Sequence, residues 1–153
     1  MKTEVLYRPS YSVAVVSLEG NETIQVEAVA MVSMSQGVTL ETTMAGGLLA
    51  SLKRSILGGE SFFMNTYQAP AGGGKVMLAP PLPGDVVVRE LAGETLLVQS
   101  GSYLASSDGI AVDTKWGGAR TFFASEGLIM LKCSGAGQLL LSSYGAIHEQ
   151  ELE

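Results

Sequence analysis

The feature that most constrains this chain is that it repeats itself. Shifted by 72 residues, Glu22-Thr23 falls on Glu94-Thr95, Val26 on Val98, Ser35 on Ser107, Gly37 on Gly109, Thr42 on Thr114 and Gly46 on Gly118. Ile24/Leu96, Val32/Leu104, Val38/Ile110, Leu40/Val112 and Glu41/Asp113 are conservative replacements in the same frame. With the shift reduced to 66, Glu60 meets Glu126, Phe62 meets Leu128 and Met64 meets Met130. Past the glycine turn, Val76-Met77-Leu78-Ala79 meets Leu139-Leu140-Leu141-Ser142. Turn glycines and strand-interior aliphatics that match together indicate one structural unit used twice.

The unit reads as β-structure. Tyr11–Leu18 is apolar and β-branched between Pro9 and the turn residues Glu19-Gly20-Asn21. Glu22–Met34 alternates with period two, with a bend expected near its middle, and Val38–Thr42 alternates again. The clearest pattern is GGESFFMNTYQAPAGGGKVMLAPP, residues 58–81. It reads as a strand over Ser61–Tyr67, a turn whose glycines supply positive φ, and a strand over Lys75–Ala79. Pro80-Pro81-Leu82-Pro83 cannot lie in a central strand and reads as the connection between units. The second unit offers strands at Asp85–Glu90, Glu94–Gln99, Tyr103–Ala105 and Ile110–Thr114, then SEGLIMLKCSGAGQLLLSS, a weaker copy of the strand–turn–strand pattern.

Turn signals every eight to twelve residues favour a sandwich or barrel over alternating α/β. The expectation is an all-β domain over residues 1–153, built of two tandem short β-sandwich units. These span about 5–81 and 82–147, followed by a short acidic tail, 148–153. The one change of period is at Gly46–Leu57, where Leu48, Leu49, Leu52, Ile56 and Leu57 recur three and four apart with Lys53 and Arg54 opposite. It predicts a short helix or extended loop over a sheet end. Its alternative reading is an apolar element, Gly47–Leu57, that contacts a partner or a membrane face.

Charge and cysteine use narrow the partners. Net charge is −6 and the nine Lys and Arg are scattered, so no nucleic acid is expected. A single cysteine fits a reducing compartment. MKTEVLYRPSYS lacks the charged and apolar halves of a signal peptide, and no run approaches a membrane span, so a cytoplasmic location is expected. Only 16% of residues are charged, against 46% apolar, which suggests surface hidden against other subunits.

The chain gives chemistry little to work with. His148 and Cys133 are far apart in sequence and neither has a second soft ligand nearby, so no metal is expected. Cys133 reads as a small buried hydrophobe. Gly101-Ser102-Tyr103 is not a nucleophile elbow, and Gly72-Gly73-Gly74-Lys75 lacks the spacing of a phosphate loop. Glu60 and Glu126 occupy equivalent places and read as acceptors of turn N–H groups, or as a pseudo-symmetric acid pair. Tyr103, Trp116 and Phe122 read as core aromatics or as the lining of a ligand crevice. No catalytic, metal or cofactor-binding residue is assigned, no ligand-binding residue is fixed, and the chain is not expected to be an enzyme.

Three blocks carry a resemblance: LKRSILGGESFFMNTYQAPAGGGKVMLAPPLPGD, LLVQSGSYLASSDGIAVDTKW and FFASEGLIMLKCSGAGQLLLSSYGAI. Together they resemble the Altered Inheritance of Mitochondria protein twenty-four family, over about Val5 to Ile147. The resemblance implies a fold similar to the tryptophan RNA-binding attenuator-like superfamily, with short β-sandwich units side by side and assembly as a homo-oligomer, the trimer favoured. It implies no site to transfer, and the basic residues of the attenuator's RNA edge are not matched here. Family members continue past the equivalent of Ile147 into a third repeat, so a chain stopping at Glu153 is expected either to be truncated or to close its assembly differently. The readings carried forward are a non-enzymatic scaffold, a small-ligand module and a membrane-surface adaptor.

Overall fold

The computed structural model describes residues 1–44, 63–113 and 130–152, and among them the fold is all-β apart from one short 3-10 turn, Ser100–Ser102. Eleven strands follow in order. They are β1 (Lys2–Leu6), β2 (Val13–Leu18), β3 (Thr23–Glu27), β4 (Met31–Met34), β5 (Thr39–Met44), β6 (Phe63–Gln68), β7 (Gly74–Leu78), β8 (Gly84–Gln99), β9 (Tyr103–Ser107), β10 (Ile110–Asp113) and β11 (Met130–Tyr144). The candidate helix at 46–57 lies outside the described residues.

A four-stranded sheet runs β1-β2-β7-β4. A seven-stranded sheet runs β10-β11-β9-β3-β6-β5, with β8 on the other side of β11. Strand alternation sets the faces. In β2, Ala14, Val16 and Leu18 point inward and are buried, while Val13, Val15 and Ser17 between them are only partly covered.

The repeat is written into the strand pairing. Thr23 pairs Gln68 and Ile24 pairs Tyr67; 72 and 66 residues on, Thr95 pairs Ser134 and Leu96 pairs Cys133. Thr39 pairs Gln68, and Ala111 pairs Ser134. Even an irregularity recurs. The β4–β7 ladder slips at Val32, and the β9–β11 ladder slips at Leu104, the residue equivalent to it. A bulge kept in both copies fixes the same bend in both.

Two cores follow. The first lies between the sheets and contains Leu18, Val26, Val38, Tyr67 and Val76. The second contains Leu91, Val98, Ile110, Cys133 and Leu139, their counterparts in the strand pairing, where Leu91 lies opposite Gly137 as Leu18 lies opposite Gly74. Every buried member of the second core comes from the seven-stranded sheet or the residues at its bends, so that sheet must curl around it. The halves are joined by β3 and β9, with Ile24 opposite Ser107, Gln25 opposite Ser106 and Val26 opposite Ala105.

Three details differ from the sequence reading. The alternating stretch Glu22–Met34 does bend, but far enough at Ala28–Ala30 to put β3 and β4 in different sheets, closed by a hydrogen bond from Ala30 N–H to Glu27 O of 3.2 Å. The strands expected at Asp85–Glu90 and Glu94–Gln99 are one 16-residue strand, and the C-terminal copy of the strand–turn–strand pattern is one 15-residue strand as far as it is described. The N-terminal strand β1 carries a polar face, Lys2 and Glu4, and finds its place by pairing along β2.

Candidate interaction surface

One end of the molecule is drawn together by backbone. Ser12 N–H donates to Gly84 O (3.0 Å), Gly145 N–H to Pro83 O (3.1 Å) and Asp85 N–H to Gly145 O (3.1 Å). These bonds bring the start of β2, the proline connection and the end of β11 to one place. A Cβ at position 84 would sit 1.7 Å from Ser143 O, so only glycine allows that closeness.

A buried carboxylate pins the assembly. Asp85, at the base of β8, accepts Arg8 Nε–H (2.9 Å) and Nη2–H (2.8 Å), Ser12 Oγ–H (2.8 Å) and the Val86 backbone N–H (2.8 Å). Its acidity follows. The Arg8 hydrogen bonds are the largest influence, burial opposes them, and Ser12 and Val86 add to them, so the Asp85 pKa falls to about 2. Arg8 itself is half exposed, and its own pKa is raised by the same partner.

Around this clamp four large apolar side chains face solvent: Tyr7, Tyr11, Leu82 and Tyr144, the last 77% exposed. Tyr7 is held at φ 58°, a left-handed conformation uncommon for a bulky residue, one position before Arg8. Between them lie shallow crevices. One of about 330 Å³ is lined by Pro80, Pro81, Leu82, Gln99, Ser102 and Tyr144 among others; another of about 360 Å³ runs from Pro9 and Tyr11 to Pro83 and Tyr144. Rings and prolines supply apolar contact, and hydroxyl, amide and backbone groups supply hydrogen bonds at the edges.

The residues singled out in the sequence do not gather here. Tyr103 is in the second core, its hydroxyl hydrogen-bonded to Ser106 Oγ (2.7 Å) and donating to Gln25 O (3.4 Å), and burial raises its pKa. Trp116, Phe122, Glu60, Glu126 and the segment Gly47–Leu57 lie outside the described residues. Cys133 is fully buried and burial pushes its thiol up to about 11, which leaves little thiolate at neutral pH. His148 is exposed beyond β11. Among the described residues no group of three or more His, Cys, Asp or Glu is placed to hold a metal ion, and no helix is long and apolar enough to cross a membrane.

Among the described residues, Glu22 and Glu94 are carboxylates that accept turn N–H groups at equivalent places in the two units. Glu22 accepts Glu19 N–H (2.8 Å) and the Met1 ammonium (2.6 Å); Glu94 accepts Ala92 N–H (2.7 Å). Arg8, Asp85 and the exposed tyrosines carry no local sequence signal. The backbone contacts of residues 12, 83–85 and 145, with the Arg8–Asp85 ion pair, bring them together.

The duplicated unit and the paired cores describe an all-β body with a cluster of exposed apolar side chains at one end. The chain belongs to the mitochondrial biogenesis AIM24 family, whose pattern matches residues 3–153. It is 31% identical over 147 residues to an uncharacterised protein of Streptococcus pyogenes serotype M6, the match covering 90% of this chain and 58% of that one. Its fold is similar to the crystal structure of a Streptococcus pyogenes protein, with a TM-score of 0.74 at 25% identity, covering 96% of this chain and 66% of that one. The chain therefore spans about three-fifths to two-thirds of the length of these relatives.

Proposed function

We propose that this protein is a non-enzymatic structural and interaction module that works as a homo-oligomeric scaffold, with the trimer the favoured state. The observation that carries the reading is the surface around Asp85. Four large apolar side chains stand in solvent on a base fixed by a buried, four-fold hydrogen-bonded carboxylate. Exposed apolar groups clustered on a rigid base mark a contact surface. The low charge of the whole chain supports the same reading, and its single cysteine, buried and unpaired, supports a cytoplasmic location.

Light scattering on a sizing column, across a hundred-fold range of concentration, tests the assembly. The expected result is one mass, three times that of the chain, that does not change on dilution. A mass equal to one chain at every concentration would overturn the scaffold reading.

A further inference from the structure

The two copies of the unit differ in what lies beside two of their strands. Within the chain, β3 of the first unit offers its free edge to β9 of the second. The counterpart of β3 is the C-terminal half of β8, Thr95–Gln99, and the counterpart of β9 is β4, Met31–Met34. Among the described residues each of these has one neighbour only: β8 pairs β11, and β4 pairs β7. Since β8 pairs β11 in the register of β3 with β6, and β4 pairs β7 with the same bulge as β9 with β11, the two open edges are the edges used in the internal contact.

Burial records the missing neighbour. All of Tyr103–Ser106 is buried, with Leu104 at 1% and Ser106 at 0% exposure; their counterparts Val32 and Met34 are 56% and 42% exposed. On the other strand Gln25 is partly covered by β9, while its counterpart Leu97 is 44% exposed. Open edges in natural sheets are guarded by charge or proline. The outer strand β1 has Lys2 and Glu4, but Met31–Met34 and Thr95–Gln99 carry no charge and no proline.

We infer that β4 of one copy pairs antiparallel with the β8 edge of the next, repeating between copies the β3–β9 contact made within one. Carried over by the repeat, the register puts Leu96 opposite Ser35, Leu97 opposite Met34 and Val98 opposite Ser33 of the neighbouring copy. The two exposed apolar side chains, Leu97 and Met34, become a cross-strand pair. The contact joins two different edges, so it is head-to-tail and closes as a ring when the rotation completes a turn. This inference rests on the homo-oligomer reading and places the contact between copies on the strand edges, which leaves the surface around Asp85 for the scaffold's other contacts.

Disulfide trapping tests it, since directly opposed strand residues have Cβ atoms close enough for a disulfide and the native Cys133 is buried. The variants are M34C, L97C and the double M34C/L97C, oxidised without denaturant and run on non-reducing gels. Mixed single variants are expected to give covalent dimers, and the double variant a ladder of higher multimers. Each single variant alone is expected to stay uncrosslinked. Moving one cysteine two residues out of register, M34C mixed with T95C, is expected to lower the yield at least five-fold. L97K, which places an ammonium on the edge, is expected to reduce the solution mass to one chain with an unchanged circular dichroism spectrum.

No crosslink between the mixed singles, with an unchanged wild-type oligomer mass, would overturn this interface and leave the oligomer standing; a segment of a longer chain lying on the same edge would give that result. Crosslinking of either single variant with itself, or an oligomer that survives L97K, would also overturn it. A wild-type mass of one chain removes both readings.

Discussion

The two units take the same corner in different ways. In the first, β2 and β3 are separated by the turn Glu19–Glu22, and β6 and β7 by residues 69–73, so the unit is split between two sheets. In the second, the equivalent strands run on as β8 and β11, bent at Gly93 (φ 113°) and at Gly135 and Gly137 (φ 129° and 141°). Two small differences account for this. The first is chemical: Ala136 donates its N–H to Gly109 O (3.2 Å), whereas its counterpart, Pro70 beside Gly37, has no N–H to give. The second is length. The first unit has three extra residues after Pro70, and Gly73 N–H closes that turn on Pro70 O (2.9 Å). Without those residues there is no room to reverse, and a bulge takes up the bend. The same repeat thus yields a corner in one place and a continuous curled ribbon in the other.

The comparison can be broken most severely at that proline. Ala136→Pro removes the bond to Gly109 and interrupts the longest strand pair, so urea denaturation should show a loss of about 3 kcal/mol or more. Pro70→Ala removes no hydrogen bond and should cost no more than about 1 kcal/mol, mainly through the unfolded chain. Equal losses at the two positions would mean that the corner is set elsewhere.

Asp85 sharpens the contrast next, because the carboxylate belongs to the second unit and its partners Arg8 and Ser12 to the first. Asp85→Ala leaves Ser12 and the Val86 N–H without their acceptor and should cost about 2–3 kcal/mol. The pH dependence has a definite sign. The folded-state pKa of about 2 lies below the ordinary value of 3.8, so the stabilisation is present above about pH 4 and is lost as pH falls from there toward 2. With Arg8 half exposed, that loss should be about 1–2 kcal/mol, and it should vanish in Asp85→Asn. An acid limb unchanged in the variant would assign it to other carboxylates.

The smallest effect separates the two positive-φ positions of the equivalent corners. Asn21 at φ 64° lies in the left-handed region that asparagine tolerates, while Gly93 at φ 113° lies outside it. Asn21→Gly should change stability by no more than about 0.5 kcal/mol, and Gly93→Asn should cost about 1–2 kcal/mol in thermal or urea unfolding.

Much of this is legible in the sequence alone. Period-two alternation marked β3 and β5, because half-buried strands must alternate, and an apolar, β-branched run between Pro9 and a turn marked β2. The prolines at 80–83 marked a connection, since proline cannot donate to a ladder. The repeat shifts of 72 and 66 reappear in the strand registers, because equivalent residues find equivalent partners. The cluster of exposed side chains around Asp85 was not legible. Tyr7, Tyr11 and Tyr144 look like strand-flanking aromatics, and Arg8 and Asp85 are 77 residues apart. Strand β1 is not legible in the sequence because Lys2 and Glu4 on an edge strand give it a polar look.

The sequence by itself determined that the chain is built of a duplicated β-unit, because strand alternation and turn glycines act over a few residues and repeat wherever the residues do. Only the tertiary structure decided which copies of a strand are enclosed and which lie open. β9 and β4 descend from one pattern, yet among the described residues one is buried between two neighbours and the other has one. That difference comes from where each unit sits in the assembled sheet, a long-range fact to which no local pattern responds.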